Sequence, residues 1–238
     1  MLVTDRGLAP SRERAQALIL SGVVLVNGRP VTKAGTQFAD DVDLSLQSPD
    51  HPYVGRGGLK LAHALDVFGV TVQDRIALDI GASTGGFTDV LLKRGAAHVV
   101  ALDVGHGQLD WTLRNDARVL VLERVNARAL TLADIPSRVD LVTVDVSFIS
   151  LRHIFPRIPG LLNPAGDVVA LVKPQFEAGR SEVGKHGVVK DEAVQQRVVE
   201  DASAWAAEVG LVRAGMTESP ITGDAGNREF FLHLKGPQ

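Results

Sequence analysis

Beyond residue 75 the apolar positions fall into short unbroken runs, separated by longer stretches in which they recur every third or fourth place. The runs are Ile76–Ile80, Val99–Val104, Val119–Leu122, Leu141–Val144, Val168–Val172, Leu211–Thr217 and Glu229–Leu234. A run without polar alternation, bounded by turn residues, predicts a strand buried on both faces. Leu59–Phe68, Phe87–Lys93, Leu151–Leu162 and Val194–Glu208 carry helical spacing. The succession predicts an α/β fold, a mostly parallel, doubly wound sheet that binds ligands at the carboxyl ends of its strands.

The first 46 residues have another texture. Ser11 can cap a helix that runs through Glu13, Ala15, Leu18 and Ile19 and ends near Ser21-Gly22. Val23–Val26 leads into Asn27-Gly28 and then Arg29-Pro30-Val31, a hairpin pattern, because a type I′ turn needs positive φ at both central residues. Val42–Leu46 alternates as one more short strand. These elements predict a small α+β domain over residues 1–46. The polar, proline-bearing stretch that follows predicts a linker over 47–55, and residues 56–238 form the larger domain.

Composition narrows the chemistry. The chain has 238 residues, 45% of them hydrophobic and 22% charged, with a formal net charge of −3, so any nucleic-acid surface must be local. Up to Lys33, the basic residues Arg6, Arg12, Arg14, Arg29 and Lys33 outnumber Asp5 and Glu13. That bias fits a solvated face as well as a binding face. The absence of cysteine excludes disulfides, thiolate metal sites and any cysteine nucleophile. His63, His98, His106 and His153 show no metal-ligand spacing, and no metal is expected. The start, Met1–Gly7, lacks a signal-peptide pattern, and no uncharged apolar stretch reaches the roughly 18–20 residues of a membrane helix. The expectation is a cytoplasmic protein without membrane contact.

Strand ends carry the candidate chemistry. Ile76–Ile80 runs into Asp79-Ile80-Gly81-Ala82-Ser83-Thr84-Gly85-Gly86-Phe87, where glycines let the backbone approach a ligand at a helix start. A dinucleotide fingerprint wants glycine where Ser83 stands, which favours a cofactor without phosphates. About 20 residues on, Asp103 ends the next strand, where a carboxylate can accept the hydroxyls of a cofactor ribose. With Asp79 before the loop, the pattern points to a nucleoside cofactor, S-adenosylmethionine. Asn126, after the third strand, is placed against the adenine. Asp145 and Lys173 leave adjacent strands at the same edge, an acid beside a base. There is no Asn/Asp-Pro-Pro-aromatic element after the fourth strand, where methyltransferases acting on exocyclic amines or amide nitrogens commonly place one, and no cysteine for methylating pyrimidine carbon. Methylation of an oxygen remains, and its main chemical need is a proton acceptor.

These residues resemble a known family. Arg56–Leu61, Asp79–Asp89, Asp103–Leu109, Asp145–Leu151, Leu171–Glu177 and Gly226–Phe231 are similar, in order, to the motifs of the TlyA-type ribosomal RNA 2′-O-ribose methyltransferases, often called haemolysins. Their catalytic domain is similar to the FtsJ/RrmJ group. The resemblance implies a Rossmann-like class I methyltransferase domain with a mostly parallel seven-stranded sheet. Before it stands a domain resembling the RNA-binding domain of ribosomal protein S four. Family members carry further residues, including an Arg-Leu-Asp stretch, before the point where Met1 stands, so the first helix of that domain is expected to be clipped. The implied substrate is a cytidine ribose 2′-hydroxyl in ribosomal RNA, with ribosomal subunits as partners.

The family's Lys-Asp-Lys-Glu tetrad falls on Lys60, Asp145, Lys173 and Glu229. The expected cofactor contacts are Asp79, Gly81, Ala82, Ser83, Gly85, Gly86, Phe87, Asp103, Asn126 and Asp145, and the expected RNA contacts are Arg6, Arg12, Arg14, Arg29 and Lys33. A free lysine, with pKa about 10.4, is neutral in roughly one molecule in 2,500 at pH 7, so a lysine base needs burial and a neighbouring cation. Lys173 is the expected base, Lys60 the cation, Asp145 the orienting acid, and Glu229 the residue that holds Lys60 and the ribose hydroxyl. Taken singly, Lys60 reads as a solvated helix residue and Glu229 as a surface strand residue. The polar segment from Glu177 to Gly187 reads as a mobile loop over the substrate. The other readings are a pore-forming haemolysin, an RNA-binding module without catalysis and a small-molecule O-methyltransferase. The first lacks a visible export signal and inserting segment, and the last gives the basic amino-terminal part no purpose.

Overall fold

The structure, a computed structural model, describes residues 2–20, 22–46, 51–223 and 225–237. The chain divides into two compact units, Met1–Pro52 and Tyr53–Gln238. Gln47–Asp50 of the expected linker, and Ser21 at the expected helix end, lie outside the described residues. Tyr53, Val54 and Gly55, also expected in the linker, belong to the larger unit, where the Val54 N–H donates to Asp89 Oδ2 at 2.9 Å.

In the smaller unit α1 spans Leu2–Asp5, α2 Arg12–Leu20, β1 Val24–Val26, β2 Arg29–Pro30 and β3 Leu44–Leu46. Ser11 Oγ accepts the Arg14 N–H at 3.2 Å, so it caps α2 as its sequence position predicts. Asn27 and Gly28 turn β1 into β2 with φ of 50° and 73°, the sign that a type I′ turn demands. Val3, Ala9, Ala15, Leu18, Ile19 and Val24 make its small core.

The larger unit begins with α3 (Gly57–Phe68), β4 (Ile76–Ile80), α4 (Gly86–Lys93), β5 (His98–Asp103), α5 (Trp111–Arg114) and β6 (Val119–Glu123). It continues with β7 (Val139–Val144), α6 (Ile158–Leu161), β8 (Leu162–Val172), α7 (Pro174–Glu177), α8 (Glu192–Glu208), β9 (Val212–Glu218) and β10 (Phe230–Lys235). The seven strands are ordered β6-β5-β4-β7-β8-β10-β9. Neighbours from β6 through β8 are parallel, and β10 runs antiparallel to both β8 and β9. The chain starts at β4, winds outward through β5 and β6, then returns to β7 and β8. The strand order therefore reverses between β4 and its two neighbours, where a crevice opens at the carboxyl edge.

Successive side chains on a strand point to opposite faces, and both faces are covered. Leu78, Ile80, Val142, Val144, Val168 and Ala170 pack on one face with Val198, Val199 and Ala202 of α8. Ala77, Val99, Ala101, Leu141, Val169 and Leu171 pack on the other with Leu61 and Leu65 of α3 and Val90 and Leu91 of α4. Double burial explains why these strands show no polar alternation.

Two expectations need correction. The helix expected over Leu151–Leu162 is two 3₁₀ turns, Leu151–His153 and Phe155–Arg157, followed by short α6. Pro156 and Pro159 each remove a backbone donor, so a continuous helix cannot form there. The strand that delivers Lys173 starts at Leu162 instead of Val168, with a register irregularity against β7.

Candidate active site

The turn after β4 is built from backbone constraints. The Gly81 and Ala82 N–H groups both donate to the Leu102 carbonyl, at 2.8 and 3.0 Å, which folds the loop across the end of β5. Gly81 has φ of +90°, and a Cβ there would lie 2.2 Å from the Asp145 carbonyl oxygen, so only glycine lets the β4 and β7 loops meet. Asp103, at the end of β5, accepts the Ser83 N–H on Oδ2 at 2.8 Å and the Gly105 N–H on Oδ1 at 2.6 Å. Its carboxylate is thereby fixed in direction. Asn126 accepts the Arg128 N–H at 3.0 Å and caps the turn after β6.

These elements enclose a cavity of about 500 Å³ whose walls include Gly81, Ser83, Asp103, Asn126, Asp145 and Phe148, with apolar Leu102, Val104 and Val125. A second cavity, about 400 Å³, is lined by Arg56, Lys60, Ala82, Gly86, Phe87 and Lys173. Gly81, Ser83, Asp145 and Ser147 line both. Asp145 therefore stands on a shared wall.

The four tetrad positions form two ion pairs. Lys173 Nζ lies 2.5 Å from Asp145 Oδ1 and donates to Ser147 Oγ at 3.0 Å. Lys60 Nζ donates to Glu229 Oε2 at 2.6 Å. Lys60 and Glu229 are 9% and 2% exposed, which corrects the solvated readings that each residue invites when taken alone. Glu229 lines neither cavity and reaches the site only through Lys60. Partnering explains the burial, since an unpaired charge would be costly there.

Asp79 also occupies a different place from the one its position before the loop implies. It is fully buried on the α4 face of the sheet, where it accepts hydroxyl hydrogens from Thr88 at 2.7 Å and Thr143 at 3.0 Å. Burial pushes its carboxyl up to about 7 against those two hydrogen bonds, with the charge of Asp145 adding to the rise. Asp79 thus secures the loop from behind, and its carboxylate lines neither cavity. Gly85 turns the chain into α4 with φ of +100° and is likewise absent from both walls.

Sequence reasoning gave no role to Ser147 or Phe148 and read Glu177 as the start of a mobile loop, whereas it ends α7. Phe148 has φ of +64°, is 87% exposed and lies 5.0 Å from Phe176 between ring centroids. Glu177 accepts the Leu151 N–H at 2.9 Å, and burial raises its carboxyl above the usual range. It ties the loop after β7 to the segment after Lys173. The signal was present in Asp145–Leu151 and Leu171–Glu177, but the partners within those motifs appear only when β7 and β8 pair.

A cavity with a fixed carboxylate at the end of β5 and apolar walls suits a nucleoside, and the shared acidic wall suits a cation beyond it. Residues 53–236 match the FtsJ-like methyltransferase family, and residues 1–39 match the S4 domain. The chain belongs to the FtsJ-like methyltransferase family. Within it, the chain is 50% identical to the 16S/23S rRNA (cytidine-2′-O)-methyltransferase TlyA of Mycobacterium tuberculosis, over 97% of this chain and 86% of that protein. It is 43% identical to Hemolysin A of Brachyspira hyodysenteriae, over 98% and 97% of the two chains. A solved structure from Streptococcus thermophilus, assigned as a hemolysin, superposes with a TM-score of 0.81 at 44% identity, covering 100% of this chain and 87% of that one. The expected Rossmann-like methyltransferase fold is met, and membership of an FtsJ-like family implies S-adenosylmethionine as cofactor. No helix among the described residues is long and apolar enough to cross a membrane.

Proposed function

We propose that this FtsJ-like enzyme methylates a ribose 2′-hydroxyl, that of a cytidine, in ribosomal RNA. The observation that carries the reading is the shared wall: Lys173 meets Asp145 and Ser147 where the two cavities join. The larger cavity takes S-adenosylmethionine, which supplies an electrophilic methyl group when bound. Asp103 accepts its ribose hydroxyls, Asn126 and the apolar walls take the adenine, and Gly81 and Ser83 form the loop wall beside it, whereas Ala82, Gly86 and Phe87 of the same loop face the smaller cavity.

The smaller cavity takes the substrate ribose. With its proton given up, Lys173 would accept the 2′-hydroxyl proton on Nζ as that oxygen bonds to the methyl carbon and the sulfonium S–C bond breaks, the neutral thioether being the leaving group, a general-base role. Asp145 and Ser147 hold Nζ in place, and Lys60, itself held by Glu229, meets the ribose oxygen. Setting the nucleophile in line with the methyl group supplies much of the rate.

Exposed Arg12, Arg29 and Lys33 of the S4 unit contact RNA. Arg6 donates to the Val42 carbonyl at 2.6 Å and Arg14 to the His51 carbonyl at 2.9 Å, so both also brace their own unit. The setting is the cytoplasm, where ribosomes are reached. The haemolytic alternative rests on the names of relatives alone.

The test is incubation of the purified chain with tritiated S-adenosylmethionine and ribosomal subunits from a strain that lacks the gene, followed by ribose-methylation mapping. A ribose-methylated cytidine that depends on the chain is expected. Label on a base, or none on RNA, would overturn the proposal.

A further inference from the structure

The carboxylate of Glu229 is roofed by backbone. A Cβ on Gly223 would lie 2.5 Å from Glu229 Oε1, so this glycine sits directly against the oxygen that Lys60 does not hold. Gly223 is kept there by its N–H, which donates to the Asn227 carbonyl at 2.9 Å.

Asn227 is 1% exposed and spends its side chain elsewhere. Its Nδ2 donates to the Gly187 carbonyl at 2.8 Å, and its Oδ1 accepts the Val189 N–H at 2.9 Å. The Val189 carbonyl in turn accepts from Gln195 Nε2 at 2.8 Å, which fastens the same residue to α8. The segment so held carries exposed Lys185, His186 and Lys190, and neither lysine has an ion pair among the described residues. Its other anchor is Glu182, which accepts from Arg197 of α8 at 2.7 Å on each oxygen. One buried amide therefore joins an unpaired basic segment to the strand that starts at the Lys60–Glu229 pair.

We propose that Asn227 is a positioning residue that sets the register between phosphate-binding residues of this segment and the ribose pocket, an inference that rests on the ribose-methylation reading. A 2′-hydroxyl lies beside the phosphate of its own nucleotide. A cation that grips the phosphate aids transfer only if its distance from Lys60 and Lys173 is fixed, because small misplacements of a reacting group are costly. The carboxamide suits the task, since donor and acceptor leave one planar group side by side.

The test is a double-mutant cycle on the full chain, assayed with S-adenosylmethionine and ribosomal subunits. Asn227→Asp keeps the acceptor for Val189 but loses the donor to Gly187. Its kcat is expected to fall roughly 10- to 100-fold, with donor affinity little changed and the thermal midpoint lowered, because a buried carboxylate replaces a hydrogen-bonded amide. Lys185→Ala should lower kcat/KM in the wild-type background and add little in the Asn227→Asp background, because the two act through one segment. If Asn227→Asp does not fold, Gln195→Leu releases Val189 from the other side and carries the same cycle. Additive losses, or an unchanged kcat in a folded variant, would sink the assignment of Asn227. A wild type that methylates no ribose overturns the underlying reading instead.

Discussion

Both edges of the seven-stranded sheet hold carboxylates among cations, but the valences are filled differently. At the amino edge Asp167, 2% exposed, lies 2.6 Å from Arg75 Nη1, His233 Nε2 and Lys235 Nζ. Burial pushes its carboxyl up, but the hydrogen bonds from His233, Lys235 and Arg75 outweigh burial and hold it well below the usual range. At the carboxyl edge the groups pair one to one, and Lys60, Lys173 and Asp145 still line a cavity. Asp167 lines neither cavity of the site. A cluster of opposite charges therefore marks chemistry only where a member keeps a direction free for a ligand. A carboxylate that three donors surround is a staple.

The strongest way to break this contrast is at Lys173. Lys173→Ala should lower single-turnover methyl transfer by roughly a thousandfold, the range for removal of a general base, while calorimetry finds donor binding nearly intact. Lys173→Arg should be almost as inactive, because arginine keeps the charge but does not give up its proton at physiological pH. An active arginine variant would make Lys173 a staple like its counterparts at the other edge.

The next largest effect belongs to stability. Asp167→Asn should cost about 3 kcal/mol by urea unfolding, as removal of one partner of a buried pair does, with kcat unchanged. The wild-type pH dependence should carry two opposed slopes. Asp167, depressed in the fold, contributes stability above the unfolded value of 3.8 that is lost as pH falls below it. Asp79, raised to about 7 from 3.8, does the reverse: the folded chain keeps a proton that the unfolded chain has lost, so stability declines as pH climbs between those values. Asp167→Asn should flatten the acid limb, and Asp79→Asn the limb from pH 4 to 7. Were both limbs to survive, these carboxyls would not be the groups responsible.

A smaller effect is expected from Asp103→Ala. Cofactor hydroxyls left unpaired should weaken donor binding about tenfold, within the range for an unsatisfied polar group, with at most a small drop in thermal midpoint from the freed Ser83 and Gly105 N–H groups. Unchanged affinity would place the ribose elsewhere. Smallest of all, replacement of Arg12 and Arg29 by Ala should lower the salt slope of RNA binding by roughly 0.7–0.9 for each phosphate that is no longer neutralised. Among the described residues neither arginine has an ion pair, so their loss should leave the fold intact. A salt slope that stays the same would make this face merely solvated.

Much of the sheet was legible because burial on both faces writes itself as local runs of apolar residues. The edge that carries the candidate site was legible because loops at strand ends gather Gly81, Asp103, Asp145 and Lys173. The Asn27-Gly28 turn was fixed by backbone sterics alone. What escaped the sequence depends on partners distant along the chain. Lys60 and Glu229 are 169 positions apart, and each looks solvated until the other neutralises it in the core. Asp79 resembles a ligand residue until Thr88 and Thr143 close around it, and Asp167 carries no signal before Arg75, His233 and Lys235 converge on it. Sequence pattern decided which elements form and which edge they point to, since both follow from hydrophobic periodicity and backbone geometry. Tertiary structure decided which charges stay available, because a charge's role is set by what surrounds it in space.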